Sequence, residues 1–211
     1  MNRRFAAATA VAVLAVSAPL FAGSQLLCRR YEIGTETSLP WTPNNYWGVP
    51  APSYPREKLV ADTLALLTPD RSVIVRMETL RRAAEYARDR DLAQDLVAAL
   101  MARVLAAESK KASDALAWFD AGYLAATYEL SGRGTPIAGL DGYAWVTRAL
   151  ELRPNAEMQF AAALIRRESP DKPGAHIAAA YEGATPGSLL ARNLTVAFGD
   201  KRPVRTATTK D

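Results

Sequence analysis

The sequence predicts an all-α fold: a short solenoid of about four antiparallel helical hairpins, preceded by an extended segment rich in proline and aromatic residues. Three observations predict it. From Pro55 onward, apolar residues recur at helical spacing, and prolines or glycines cut the pattern into helix-length runs. Upstream, residues 31–55 hold Pro40, Pro43, Pro50, Pro52 and Pro55 beside Trp41, Tyr46, Trp47 and Tyr54. Proline at that density excludes a helix and favours extended or polyproline-like backbone. Finally, the run Asp114–Leu130 is apolar around most of its circumference, as a helix enclosed by neighbours must be.

The chain opens on Asn2-Arg3-Arg4, followed by an uncharged run from Phe5 to Leu27 dominated by Ala, Val and Leu. A basic start, an apolar stretch and a small-residue exit define a secretory signal peptide. Pro19 breaks the run, and Ala22-Gly23-Ser24 supplies small residues, so a cut is expected after Ser24, with Ala22 the second choice. The expected organisation is therefore a signal peptide over 1–24, an extended segment over 25–55, a helical-repeat domain over 56–199 and a polar tail over 200–211. The expected location is periplasmic or secreted. The alternative is a membrane anchor through residues 5–27, since an uncharged run of that length can also span a bilayer.

The first helix is expected to start at Ser53-Tyr54-Pro55 and to run to about Leu67. Thr68-Pro69-Asp70 reads as the cap and first turn of the second, which places Val73, Met77, Leu80, Ala84 and Ala87 on one buried face. Arg76, Arg81, Arg82 and Arg88 interleave there with Glu78 and Glu85, the pattern of a solvated, salt-bridged face. A third helix follows from Asp91 to about Glu108 with Leu92, Leu96, Leu100 and Val104 inward. The fourth, Asp114–Leu130, is the expected centre of the fold. A glycine-rich connection, Ser131–Gly142, leads to helices over Tyr143–Arg153 and Ala156–Glu168, divided by Pro154 and capped by Asn155. Gly132-Arg133-Gly134-Thr135 within that connection lacks the preceding strand and following Gly-Lys-Ser/Thr of a phosphate loop. Asp171-Lys172-Pro173 starts another helix that stops at Gly183, and Thr185-Pro186 starts the last, which stops at Gly199.

The stretch Ala149-Leu150-Glu151-Leu152-Arg153-Pro154-Asn155-Ala156-Glu157 resembles the junction between tetratricopeptide repeats, where an Ala/Leu-rich helix ends at proline. Trp118-Phe119-Asp120-Ala121-Gly122-Tyr123-Leu124-Ala125 resembles the start of such a repeat, and Val146 and Ala149 continue the pattern in the partner helix. Small residues at these places let helix backbones approach while large ones fill the gaps. The resemblance is clearest over residues 115–165. It implies a hairpin solenoid with a protein-binding concave face that would include Phe119, Tyr123 and Thr127. Trp41 and Trp47 of the extended segment are the other candidate partner-binding residues, since proline-aromatic segments can engage a partner. The competing reading is that Phe119, Tyr123 and Thr127 are ordinary core beneath the extended segment.

Composition narrows the chemistry. The chain carries 26 Lys and Arg against 22 Asp and Glu, a formal +4, and loss of Arg3 and Arg4 with the signal leaves +2. That is too little to point to nucleic acid. One cysteine, Cys28, and one histidine, His176, are too few for a disulfide framework or a structural zinc site. No motif surrounds His176 to make it a catalytic base, and neither a catalytic residue, a metal site nor a cofactor is expected. Acylation of Cys28 would tether the protein to a membrane, but Leu27 stands where a lipoprotein carries a small residue. The function expected is an exported interaction or scaffold module for a protein or peptide partner. The alternatives are a small-molecule carrier and a hydrolase working through two of Asp120, Glu129, Asp141, Glu151 and Glu157, with Asp120 expected on a solvated face.

Overall fold

The computed structural model describes residue 26 and residues 30–44, 48–131, 139–166 and 174–199. The predicted signal peptide over 1–24, together with Cys28, Trp47, the Gly132-Arg133-Gly134-Thr135 stretch and the polar tail, lies outside the described residues. Within them the protein is all-α. Eight helices follow a two-stranded antiparallel ribbon, and the ribbon joins β1 (Trp41–Thr42) to β2 (Val49–Pro50) with Trp41 opposite Pro50.

After a single 3-10 turn at Arg56–Lys58 come α1 (Leu59–Leu66), α2 (Val73–Tyr86), α3 (Arg90–Ser109) and α4 (Ala115–Glu129). The second half comprises α5 (Gly142–Leu152), α6 (Ala156–Ile165), α7 (Gly174–Glu182) and α8 (Leu189–Phe198). Most starts are written in the sequence as short polar caps. Asp89, Asp114, Asp141, Asn155 and Ser188 each accept from backbone N–H groups of the turn that follows, satisfying donors that have no partner within the helix. The last helix thus begins at Leu189, behind its Ser188 cap and a little beyond the predicted Thr185-Pro186.

The second helix departs further from expectation. Thr68-Pro69-Asp70 does not open it; Arg71 N–H donates to the Thr68 carbonyl in a tight turn, and Ser72 caps α2 by accepting from Val75 N–H at 3.4 Å. Its Ile74 N–H finds a partner in another helix, the Glu157 carboxylate of α6 at 3.1 Å. A carboxylate on a helix N-terminus meets both the free donors and the positive end of the helix dipole. Burial nonetheless pushes the Glu157 pKa up, and the N–H groups of Ile74 and Val73 offset part of that rise.

Two helices run through the middle of the molecule. In α4 nearly every residue from Ala115 to Tyr128 is buried, as its all-round apolar pattern requires. Unexpectedly α2 is almost as enclosed: Arg76, Glu78 and Arg81 are all buried beside Met77 and Leu80. The expected ion pairs form, Glu78 with Arg82 and Glu85 with exposed Arg88. The solvated setting is overturned for Arg76, Glu78 and Arg81, because α2 packs between α1, α4 and α6 and its outer side is covered by the segment before β1.

Glycine permits a close helix contact. At the crossing of α4 and α5, a Cβ on Gly142 would lie 2.2 Å from the Ala126 nitrogen, and one on Gly122 would lie 2.7 Å from the Val146 nitrogen. The backbones meet with no room for a side chain on either residue. Among the described residues, no helix is long and apolar enough to cross a membrane.

Candidate functional site

The most distinctive feature is a length of extended chain lying across the helices. Residues 30–44 form a strap whose side chains alternate at its start: Tyr31 buried, Glu32 exposed, Ile33 buried. A tight turn at Gly34 (φ +61°) follows, closed by Glu36 N–H donating to the Ile33 carbonyl. Farther on, Leu39 is again buried. Upstream, Leu26 is also in the core.

The helices hold the strap chiefly by its main chain. Asn193 of α8 makes a paired contact, its Oδ1 accepting from Glu32 N–H at 3.0 Å and its Nδ2 donating to the Glu32 carbonyl at 2.9 Å. Tyr31 N–H donates to Glu78 Oε2 at 3.2 Å, Arg82 donates to the Leu39 carbonyl at 2.6 Å, and Tyr86 OH donates to the Pro40 carbonyl at 2.6 Å. Ser38 and Thr79 join hydroxyl to hydroxyl at 3.0 Å. Glu78, Thr79, Arg82 and Tyr86 all come from α2, so one helix lies along the strap and α8 pins its beginning.

One side chain adds specificity. The Tyr31 hydroxyl meets the Tyr123 hydroxyl at 2.6 Å, and its ring stands edge-on to Phe160 with centroids 6.3 Å apart. Burial raises the Tyr123 pKa, and the neighbouring Tyr31 raises it further. Tyr123 is thus neutral, and the two hydroxyls bond each other.

Beneath the strap lies a buried set of charges. Glu78 takes Arg81 through Nε and Nη2, both at 2.8 Å, and Arg82 Nε at 2.7 Å. Burial disfavours the charge on Arg81, yet its bonds to Glu78 outweigh that and raise its pKa. A second pair sits deeper. Arg76 Nη1 reaches Asp120 Oδ2 at 2.5 Å while its Nη2 donates to the carbonyls of Leu67 and Thr68, the free end of α1. Arg103 approaches the same carboxylate at 3.6 Å. Burial pushes Asp120 up to about 6, against the pull of Arg76 and Arg103. The solvated position expected for Asp120 is thus overturned: in the core it faces Arg76 of α2 and Arg103 of α3.

The other four predicted carboxylates have structural partners. Glu129 accepts from Gly142 N–H, Asp141 caps α5, Glu151 pairs with Arg148, and Glu157 caps α2. Burial raises the Glu129 pKa. His176 lies between Tyr143 OH at 2.9 Å and Gln159 Oε1 at 2.5 Å, an arrangement a neutral imidazole satisfies. Burial and the Arg166 charge both lower its pKa. Among the described residues, no group of three or more His, Cys, Asp and Glu could hold a metal ion.

The structure moves the predicted partner-binding residues inward. Phe119, Tyr123 and Thr127 are wholly buried, Phe119 stacked on Tyr123 at 5.7 Å and Thr127 bonded to the Tyr123 carbonyl at 2.7 Å. They offer no open surface, because the strap and neighbouring helices cover that side. Trp41 is half-buried, with the guanidinium carbons of Arg81 and Arg82 at 4.8 Å and 5.6 Å from its ring centroid. Sequence reasoning missed Glu78, Arg82 and Asn193, the residues that grip the strap. An open cleft of about 410 Å³ lies beside β2, lined by Val49, Pro50, Tyr54, Arg56, Glu85 and Arg88 among others. No family model matches the chain, nor does any curated protein or solved structure.

Proposed function

We propose that the protein is an exported helical-repeat scaffold, of the tetratricopeptide-like kind, that holds a protein or peptide partner in the cell envelope. One observation carries this reading: the helices are arranged to grip an extended chain by its backbone, as the paired Asn193–Glu32 contact does. Backbone recognition of an extended segment is how peptide-binding scaffolds gain affinity without demanding one sequence. The small-residue contact of Gly122 and Gly142 supports the repeat-like packing. Leu26, just past the expected cut after Ser24, is in the core, which supports a domain that begins at the mature terminus.

The test is photo-crosslinking in the native envelope. A crosslinking residue replaces exposed Glu32 or exposed Val49, and mass spectrometry identifies what is captured. One discrete partner, captured from the same position in repeated preparations, is the expected result. A folded, exported chain that captures nothing above background overturns the reading. Terminal sequencing of the same material is expected to start at Gln25, and a retained Arg3-Arg4 refutes release from the membrane.

A further inference from the structure

The strap differs from an ordinary core segment in how its polar contacts are shared. Apart from Tyr123, whose hydroxyl bonds Tyr31, the helix residues that grip it also have a partner that stays when the strap leaves. Glu78 keeps Arg81 and Arg82, and Thr79 Oγ1 keeps the Val75 carbonyl at 2.9 Å. Asn193 Nδ2 keeps the Leu189 carbonyl at 2.9 Å. Undocking therefore strands no unpaired charge on the floor; it leaves tyrosine hydroxyls and single lone pairs that water can take. The groove is organised by the helices themselves and is filled by the strap.

We infer that this groove is a peptide-recognition site that the strap occupies in cis, and that its partner presents an extended segment of the same chemistry. That chemistry can be read from the occupant. The bonds to Tyr31 N–H and to both backbone groups of Glu32 require only extended backbone. Selectivity comes from a tyrosine whose hydroxyl reaches Tyr123 and whose ring meets the edge of Phe160, then from an aliphatic side chain two residues later, where Ile33 sits. The residue between them faces solvent and is unrestricted. A phenylalanine in place of the tyrosine leaves the Tyr123 hydroxyl without its partner, which penalises the ligand that lacks the hydroxyl. The tethered strap competes at high effective concentration, so it acts as a built-in inhibitor that a partner must displace.

This rests on the scaffold reading, and its test is separate from the crosslinking. The probe is a fluorescent synthetic peptide with the sequence of residues 30–44, followed by fluorescence anisotropy. It is added to the full mature chain and to a strap-weakened form, Tyr31→Ala with Ile33→Ser. The weakened form is expected to bind the peptide at least about tenfold more tightly than the unaltered chain, because the internal competitor is gone. Asn193→Ala in that background, or Tyr→Phe in the peptide, is expected to lower binding by about tenfold. A weakened form that stays folded by circular dichroism yet ignores the peptide overturns the inference, as does equal binding to both forms.

Unfolding of the weakened form also overturns it, since the strap would then be inseparable from the core. Hydrogen exchange of the unaltered chain provides a measure that needs no substitution: Tyr31 and Glu32 amides are expected to exchange about a hundredfold faster than those in the middle of α4. Equal protection refutes the inference. A captured partner together with a failed peptide experiment would leave the scaffold reading standing and remove only this site.

Discussion

The sharpest consequence of the structure concerns Asp120, which spends stability at neutral pH rather than adding it. Its carboxylate is fully buried; Oδ2 bonds Arg76 at 2.5 Å, but the buried Oδ1 has no hydrogen-bond partner. A half-satisfied ion in a dry site costs more to desolvate than one short bond returns. The result is a folded pKa of about 6 against an ordinary 3.8. The folded state therefore binds the proton more tightly than the unfolded state does. By linkage, the Asp120 contribution is most favourable below pH 4, declines as the pH rises towards 6, and is level above that. At 1.36 kcal/mol for each pKa unit, the difference is about 3 kcal/mol. Arg76 does not depend on Asp120 alone, because the Leu67 and Thr68 carbonyls at the end of α1 also receive its protons.

Asp120→Asn, which imitates the protonated acid, is thus expected to stabilise the protein at pH 7.5 by up to about 3 kcal/mol and to change little at pH 4. For a domain of this size that raises the melting temperature by roughly 6–12 °C at pH 7.5. Arg76→Met does the opposite, since it leaves Asp120 with only Arg103 at 3.6 Å, and is expected to cost about 3–5 kcal/mol. Urea denaturation and calorimetry of the mature chain at both pH values measure these changes. If Asp120→Asn destabilises the protein at pH 7.5 by more than about 1 kcal/mol, the ion pair is a net gain and the reasoning fails.

Further substitutions examine the packing and the strap. Gly142→Ala forces a Cβ against the α4 backbone and is expected to cost about 1–3 kcal/mol or more by denaturation, with no cost refuting the close crossing. Tyr31→Phe and Tyr123→Phe should each cost about 1–3 kcal/mol, whereas the double variant should recover part of that loss in a double-mutant cycle, because no hydroxyl is left alone. Gly34→Ala places a side chain at φ +61° and is expected to cost about 1–2 kcal/mol through backbone strain rather than contact, since its nearest neighbour would lie at 3.8 Å. His176 has the opposite pH sign to Asp120. Its folded pKa is depressed, so its contribution is complete above 6.5 and is lost as the pH falls; His176→Gln is expected to flatten that slope in a stability-versus-pH series.

The helices were legible because proline, glycine and short polar caps punctuate them locally. Asp114 and Asn155 act where a reader of the sequence would place them. The non-helical character expected over residues 31–55 came from its five prolines, and the strap and the two-stranded ribbon lie within that range. The charges were not legible. Arg81 and Arg82 lie three and four residues beyond Glu78, and that spacing looks the same on a wet face as in a sealed network. Tertiary packing decides that these charges are dry, with neighbouring helices on one side and the strap, from about forty residues upstream, on the other. Asp120 offered a clue that could have been taken: a carboxylate on a helix otherwise apolar all round needs a counter-charge from elsewhere. Its partner Arg76 is 44 residues away, beyond any local pattern. Phe119, Tyr123 and Thr127 were picked from the repeat-like spacing, and one of them, Tyr123, does meet an extended chain. The chain it meets is the protein's own.

The ions of the core have a role in holding the strap in place. A groove floored only with aliphatic side chains would hold any apolar segment in any register, since the hydrophobic effect has no direction. Here the floor is Glu78 bound to two arginines, and the rim carries Asn193, Thr79 and Tyr86. Each of these hydrogen-bonds a particular backbone or hydroxyl group at a particular place along the strap. Sliding the strap by one residue would put the Tyr31 ring into solvent and face Asn193 with the wrong groups. Buried polar contacts of this kind add little net stability, and Asp120 subtracts from it, but they fix register. A segment held in one register by contacts that are individually weak and separately satisfied is well placed to be exchanged for another that presents the same groups. The burial of charge along α2 and the candidate site in the groove therefore have one physical cause.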